Sequence, residues 1–477
     1  MTPTPARALL AVLLPAMLIT VIASDMVNLV LPSIGAEFGA SEAELAWVVT
    51  GFLLMFSIGI PLYGRVSDRV SLRRLFSFAL LTYAAGSLIS ALAPDLLVLV
   101  LGRFVTGVGA AAIPVLSIIA VTRLMPGERR GTGIGVISAT TGVGTAAGPA
   151  IGGGIGQFLG WPALFWLMLV VALLLLPAAL RVLPDETPAG ASRFDLPGGI
   201  LLGLGAGLIL YGITQAQVAG FTAPSSWLSL LAAVVAIALF AWRTSRVPQP
   251  FIPPALFTNH VYRNAVAVAF LAMIVNLGGL VFVPLLVVDV NGLTPGAGAL
   301  VMIPAGVAVA AVSPLIGRLT DRIGTRPLVL TGLTVMGAFT LFLSSFAEVL
   351  PAAIGMLGLS VGFIFVLTPI ITAAAGALRP DQVGVGLGIL QGAQFLGAGT
   401  GPALLGVLVT ARQQSTAINP LYAAHEGAAY SDAFLTLAVV VALALIAAYR
   451  MQPKGSHTTM VGDTPARPAR TGRDDRI

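Results

Sequence analysis

The chain has 477 residues, 57% of them hydrophobic and only 9% charged, and its mean hydropathy is +0.98. That leaves too little polar surface for a water-soluble globule, so lipid is the expected solvent. Cysteine is absent, which excludes disulfides and thiolate chemistry, and His260, His425 and His457 are scattered without ligand spacing, which argues against a metal centre. The net charge of +6 would suit nucleic acid, but the basic residues lie between apolar runs rather than in one patch.

Apolar runs near the length needed to cross a bilayer recur along the chain. The first, 8–31, reads as an uncleaved span rather than a signal peptide, because it continues without a cleavage site. Spans then follow at 47–64, 75–92, 97–120, 133–158 and 162–180, closing a group of six. A polar, proline-containing stretch at 181–195 acts as a linker. Two further spans, 196–213 and 227–242, precede a second polar joint at 243–263. The last six fall at 265–288, 296–316, 328–346, 350–373, 386–409 and 433–449. The expected class is an all-α polytopic membrane protein of about fourteen spans. Residues 1–183 form an N-terminal six-helix half, 184–262 a linker with two inserted helices, 263–449 a C-terminal half, and 450–477 a disordered tail.

Lys and Arg beside spans prefer the cytoplasm. With the N-terminus inside, all 25 basic residues but Arg103 and Arg412 fall on the cytoplasmic side. Both termini are therefore expected in the cytoplasm, in a multi-pass protein of the inner (cytoplasmic) membrane. Glu37, Glu42, Glu44, Asp95 and Glu348 then lie outside.

One internal echo is strong. Gly64-Arg65-Val66-Ser67-Asp68-Arg69 follows the second span and Gly317-Arg318-Leu319-Thr320-Asp321-Arg322 follows the tenth; both read G-R-x-[ST]-D-R. The copies match only if the second half opens at the ninth span, which makes spans seven and eight the inserted pair. Glycine permits a tight turn, and each aspartate can accept backbone N–H groups at a helix N-terminus or pair with an arginine across the halves.

These residues resemble the major facilitator superfamily, and in particular its fourteen-span drug:proton antiporter group, from about Asp25 to Tyr449. Its loop signature G-x-L-A-D-R-x-G-R-R/K corresponds to 64–74 and again to 317–326. The second copy keeps its glycine at Gly324, where the first has Ser71. The resemblance implies a latch, closed in the outward-facing state, on Gly64, Asp68, Arg69, Arg73, Arg74, Gly317, Asp321, Arg322 and Arg326. Arg103-Phe104-Val105-Thr106-Gly107-Val108-Gly109-Ala110-Ala111 is similar to the group's R-x-x-Q-G-x-G-x-A, with Thr106 for the glutamine. An arginine inside a span needs a partner. Asp25, in a stretch that resembles D-x-T-I-V-N-V-A-L-P at Asp25, Asn28 and Pro32, stands at the same depth as Arg103, roughly 9 Å below the outer end at about 1.5 Å per residue. Separating the two would switch the carboxylate's protonation, a means of proton coupling.

The fifth span carries Gly144-Thr145-Ala146-Ala147-Gly148-Pro149-Ala150-Ile151-Gly152-Gly153, which matches the family's G-x-x-x-G-P-x-x-G-G and, by that resemblance, marks an antiporter. Small residues four apart allow close helix packing, and the proline bends the helix. Asn28, Asn276, Gln391, Gln394 and Asp289 are candidates for lining a substrate cavity, although polar residues in spans equally serve as helix–helix glue. The expectation is a proton-coupled antiporter that exports small amphipathic drugs or antibiotics. It would need protons, the lipid bilayer and a small-molecule substrate, no cofactor and no nucleic acid, and would act as a monomer without enzymatic activity. A proton-coupled importer of a metabolite, or a polytopic sensor or scaffold, stays open as an alternative.

Overall fold

A computed structural model describes residues 6–40, 42–186, 195–219, 223–248, 250–293, 298, 300–412, 416–422 and 427–451. Within these the chain forms fourteen long helices. They are α1 (Ala6–Phe38), α2 (Glu42–Val66), α3 (Leu72–Ala91), α4 (Leu96–Leu124), α5 (Arg130–Leu159), α6 (Pro162–Val182), α7 (Leu196–Ala219), α8 (Pro224–Arg246), α9 (His260–Asn291), α10 (Ile303–Ile323), α11 (Thr325–Ser345), α12 (Val349–Gly376), α13 (Val383–Arg412) and α14 (Ala428–Tyr449). Eleven of them are long and apolar enough to cross a membrane; α1 and α7 contribute the shorter apolar stretches Ala6–Ile22 and Leu196–Ile209 among the described residues. Of the expected tail at 450–477, residues 452–477 lie outside the described residues.

Most helices outrun their apolar runs by up to a turn or more at one or both ends, and polar side chains cap the starts of α3, α4 and α9. Asp95 accepts the Val98 N–H at the start of α4 at 2.8 Å, and Asn259 accepts from Val261 and Tyr262 at the start of α9. The largest shift is in α10, expected at 296–316 and found at Ile303–Ile323. The Gly317 motif therefore sits in the last two turns of a helix instead of after it. Gly324 ends that helix at φ +86°, a conformation that suits a residue without Cβ. At the equivalent place in the first copy, Ser71 has φ −59° and caps α3 by accepting the Arg74 N–H. The departure from glycine there reflects a different turn, one that needs a cap and no left-handed residue.

The packing repeats itself. The neighbours α1–α5, α1–α6, α2–α4, α3–α4 and α3–α6 recur eight helices later as α9–α13, α9–α14, α10–α12, α11–α12 and α11–α14. Glycines make the close approaches in both sets: a Cβ on Gly86 of α3 would lie 2.3 Å from the Thr106 backbone of α4, and one on Gly332 of α11 would lie 2.6 Å from the Gly362 carbonyl of α12. Without a hydrophobic drive between helices in lipid, such backbone proximity supplies the dispersion that holds them. The two sets meet along α2–α13, α4–α13, α5–α10 and α5–α12. Helices α7 and α8 pack on each other, and α7 lies against α2 and α13.

Candidate functional site

At the end of the bundle where α2 and α10 finish, the two G-R-x-[ST]-D-R copies perform the same operation on opposite partners. Asp68 is buried, and its carboxylate accepts the N–H groups of Gly384 (2.9 Å) and Val385 (3.0 Å), the first residues of α13. Asp321 accepts the N–H groups of Gly131 (2.8 Å) and Thr132 (2.9 Å) at the start of α5, and the Thr132 hydroxyl at 2.8 Å. Each carboxylate thus satisfies the free donors at a helix N-terminus and meets its positive dipole end. Of the two roles left open for these aspartates, both accept backbone N–H groups across the seam, and Asp68 adds an arginine from its own side. Arg123 of α4 donates to Asp68 Oδ1 at 2.6 Å and to the Ser67 carbonyl at 2.6 Å.

The motif glycines permit this approach. A Cβ on Gly64 would lie 2.6 Å from the Gly384 carbonyl, and one on Gly317 2.4 Å from the Gly131 carbonyl. The matching glycines on the receiving helices are as tight: a Cβ on Gly384 would stand 2.2 Å from the Gly64 carbonyl, and one on Gly131 2.5 Å from Asp321 Oδ1. The burial of Asp68 raises its pKa to about 6 despite Arg123 and the two N–H donors, which pull it down.

The other arginines of the motif hold their own neighbourhoods. Arg73 Nε donates to the Leu183 carbonyl at 2.7 Å and Arg74 pairs with Asp185 at 3.1 Å, fastening the segment after α6 to the start of α3. Arg69 is half-buried and Arg322 exposed, and the Arg326 guanidinium lies 5.3 Å over the ring of Tyr449. The motif's own contacts with the opposite set of helices run through its aspartates and glycines.

Deeper in the bundle, Arg103 is 1% exposed. Its Nε donates to the Val48 carbonyl at 3.0 Å, its guanidinium lies 4.2 Å over the Phe52 ring, and Nη1 finds no hydrogen-bond partner among the described residues. The side chains of Asp25 and Asn28, like those of Pro149 and Gly153, lie outside the described residues, and so does the pairing expected for Asp25. The described part of the fifth-span glycine motif faces α1: Cβ atoms on Gly144 and Gly152 would meet Val21 at 2.8 Å and Met26 at 2.7 Å. Gly148 between them is buried. Gln391 and Gln394 are buried, Gln394 Nε2 has no partner among the described residues, and Asn276 is half-buried. Asp289 is exposed and accepts the Tyr430 hydroxyl.

Sequence reading missed several polar residues that organise the structure. Arg123 and the paired Gly131-Thr132-Gly133 and Gly384-Val385-Gly386 starts are one group; the repeated G-x-G following a proline was the available signal. Asp195 is another, accepting from Gly198 N–H (3.1 Å), Arg243 Nε (2.6 Å) and Phe251 N–H (3.3 Å), so that it ties the near ends of α7 and α8 to the joint beyond them. At the opposite end, buried Asp432 pairs with Arg412 and accepts the Ile418 N–H at 2.7 Å.

A helical bundle with a repeated packing plan and a carboxylate cap duplicated at one end matches the fold of membrane transporters. The chain belongs to the Major Facilitator Superfamily, which it matches over residues 13–402 and, in a second alignment, 305–470. It is 31% identical over 395 residues to the multidrug resistance protein Stp of Mycobacterium tuberculosis, covering 82% of this chain and 73% of that one. It is 31% identical over 414 residues to the puromycin resistance protein pur8 of Streptomyces alboniger, covering 84% and 81%. Among solved structures it shares its fold with the human organic anion transporter MFSD10 (TM-score 0.69, 17% identity, 94% of this chain and 100% of that one). The proton:xylose symporter XylE is a second such neighbour (TM-score 0.65, 17% identity, 92% and 94%).

Proposed function

We propose that the chain is a proton-coupled antiporter that exports small amphipathic compounds of drug or antibiotic type by alternating access. In this reading all fourteen helices span the inner (cytoplasmic) membrane, with both termini in the cytoplasm and the Asp68 end facing it. Residues 1–183 and 263–449 are the moving halves, and α7–α8, within 184–262, are the insertion. The protein works as a monomer without a cofactor. The observation that carries the reading is the double cap: Asp68 on the start of α13 and Asp321 on the start of α5 close one end of the seam between the halves. Opening that end requires both carboxylates to leave their helix N-termini, and water then replaces the lost N–H partners. Export, as opposed to uptake, is supported by relatives named for multidrug and puromycin resistance.

Proton coupling is assigned to Asp25 and Arg103. The Arg103 guanidinium is buried with a free Nη1 among the described residues, a charge that calls for a carboxylate within the span. A proton moving inward through 100 mV releases about 2.3 kcal/mol, and one pH unit adds about 1.4 kcal/mol, enough together for a gradient of at least about a hundredfold. The test is ethidium efflux from proteoliposomes under an imposed pH gradient. Asp25→Asn is expected to abolish gradient-driven efflux while the protein stays folded and keeps binding the dye. Undiminished efflux by that variant would remove Asp25 from the coupling.

A further inference from the structure

Helix α7 lies across one of the two lines along which the halves meet. Its glycines Gly199, Gly203 and Gly207 recur every four residues, and Cβ atoms there would meet Leu62, Ile58 and Leu54 of α2 at 2.7, 2.8 and 2.4 Å. The same helix also packs on α13. On the equivalent line, α5 against α10, the long helix that touches both is α12, itself a member of the second set, and no long helix from outside the two sets packs on both among the described residues. Beneath α7, where it bridges α2 and α13, is a cavity of about 130 Å³ lined by residues that include Ser57, Pro61, Leu202, Ala206, Gly392 and Leu396.

The chemistry of this cavity is narrow. Its walls are hydrocarbon except for Ser57, whose hydroxyl is already spent on the Leu53 carbonyl at 2.8 Å. Gly392 opens into it, since a Cβ there would meet nothing within 4 Å. Neither a cation nor a headgroup finds a partner inside. Ser57 and Pro61 precede the end of α2 at Val66 by roughly 13 and 8 Å along the axis at about 1.5 Å per residue, the depth of acyl chains within a half-bilayer of about 15 Å. The volume is close to that of apolar cavities, about 150 Å³, that take up benzene. It would admit the end of one chain.

We propose that this cavity binds the hydrocarbon chain of a lipid from the leaflet at the Asp68 end, and only while the Asp68 cap is closed. State dependence follows from the walls: one side is α2 with α7 fixed to it, the other is α13, and parting the Asp68–Gly384 contact parts the walls. A ligand that needs both walls favours the closed state by its differential affinity. The coupling to closure rests on the double cap acting as the gate, whereas the site itself does not.

The test uses the full chain, which is free of native cysteine, in vesicles of phosphatidylcholine doped with a phosphatidylcholine carrying a diazirine in its acyl chain. Spin labels on Glu128→Cys and Arg379→Cys, both exposed, report whether the Asp68 end is closed. Photolysis is expected to attach lipid to the α7 and α13 peptides around Ala206 and Gly392. Gly392→Leu, whose side chain fills the space, should lower that adduct at least about fivefold, and Gly392→Ala should lower it less. Gly384→Ala, which opens the cap, should lower it in proportion to the closed fraction. An adduct unchanged in both Gly392 variants overturns the site, and one that ethidium displaces overturns the lipid as occupant. An adduct that survives opening overturns state dependence. If Gly384→Ala leaves the spin-label distances unchanged, the gate reading fails, and the Gly392 series still decides the site.

Discussion

Gly384→Ala adds one carbon at the tightest point of the seam. The new Cβ would stand 2.2 Å from the Gly64 carbonyl oxygen, 2.3 Å from Asp68 Oδ1 and 2.4 Å from Ser67 Oγ. Two of those three atoms are the carboxylate being held and backbone, so no flexible chain end can turn aside. To restore ordinary contact the helices of the seam must part by about 1 Å, which stretches the 2.9 and 3.0 Å bonds from Gly384 and Val385 to Asp68 beyond hydrogen-bonding range. Each such charge-assisted bond is worth about 1.5–3 kcal/mol. Water recovers part of this on opening, leaving a net loss of about 3 kcal/mol, or roughly 150-fold in the closed-to-open ratio. Distances between spin labels at Glu128→Cys and Arg379→Cys measure that ratio directly. Gly131→Ala, against Asp321 Oδ1 at 2.5 Å, should act in the same direction, and Gly127→Ala, whose Cβ meets nothing within 4 Å, should do nothing. Closed-state distances retained in both Gly384→Ala and Gly131→Ala would refute the capping account.

The closed end should also respond to pH. Burial holds the Asp68 pKa at about 6 when capped, against about 3.9 for a carboxyl group in water. A raised carboxylate pKa penalises the ionised form, so the penalty is fully present above about pH 6 and disappears as pH falls from there towards 4. Acidifying from about pH 7.5 to about pH 5 should therefore favour closure by 1–2 kcal/mol, and Asp68→Asn should abolish the response; a response of equal size in that variant would exclude Asp68 as its source. Asp195→Ala should lower the unfolding temperature in detergent by removing about 2–3 kcal/mol, since Phe251 N–H and Arg243 lose their acceptor, with Arg243 able to turn partly to water. Asp195→Asn should recover about half of this; an alanine variant that melts with the parent would show the clamp to be idle.

Much of the helical plan could be read from apolar length, because a lipid-facing helix has to be apolar over its whole width of contact. The Gly64 and Gly317 motifs were legible as a pair because aspartate and arginine stand out against 57% hydrophobic residues. What the aspartates hold was not, since their partners are backbone N–H groups, and a glycine that donates one looks like any packing glycine. Nor could the sequence show that Arg73 and Arg74 meet the Leu183 carbonyl and Asp185, just past the end of α6. Helix ends were the weakest reading. In α10 the charged Arg318 and Asp321 suggested a loop where the helix in fact continues, because Arg318 is exposed and the Asp321 carboxylate is satisfied by the start of α5 while the backbone remains paired.

The two caps share a geometry but differ in strength. Asp68 has Arg123 at 2.6 Å. The residue three before Pro380, where Arg123 stands before Pro126, is Ala377, and Asp321 relies on the Thr132 hydroxyl at 2.8 Å. Arg123 belongs to the same half as Asp68 and stays with it when the seam parts, whereas the Thr132 hydroxyl is one more bond across the seam. Under the proposed gating, the α2–α13 side has two carboxylate bonds to break and the α5–α10 side three, so the two edges of one closure resist opening unequally.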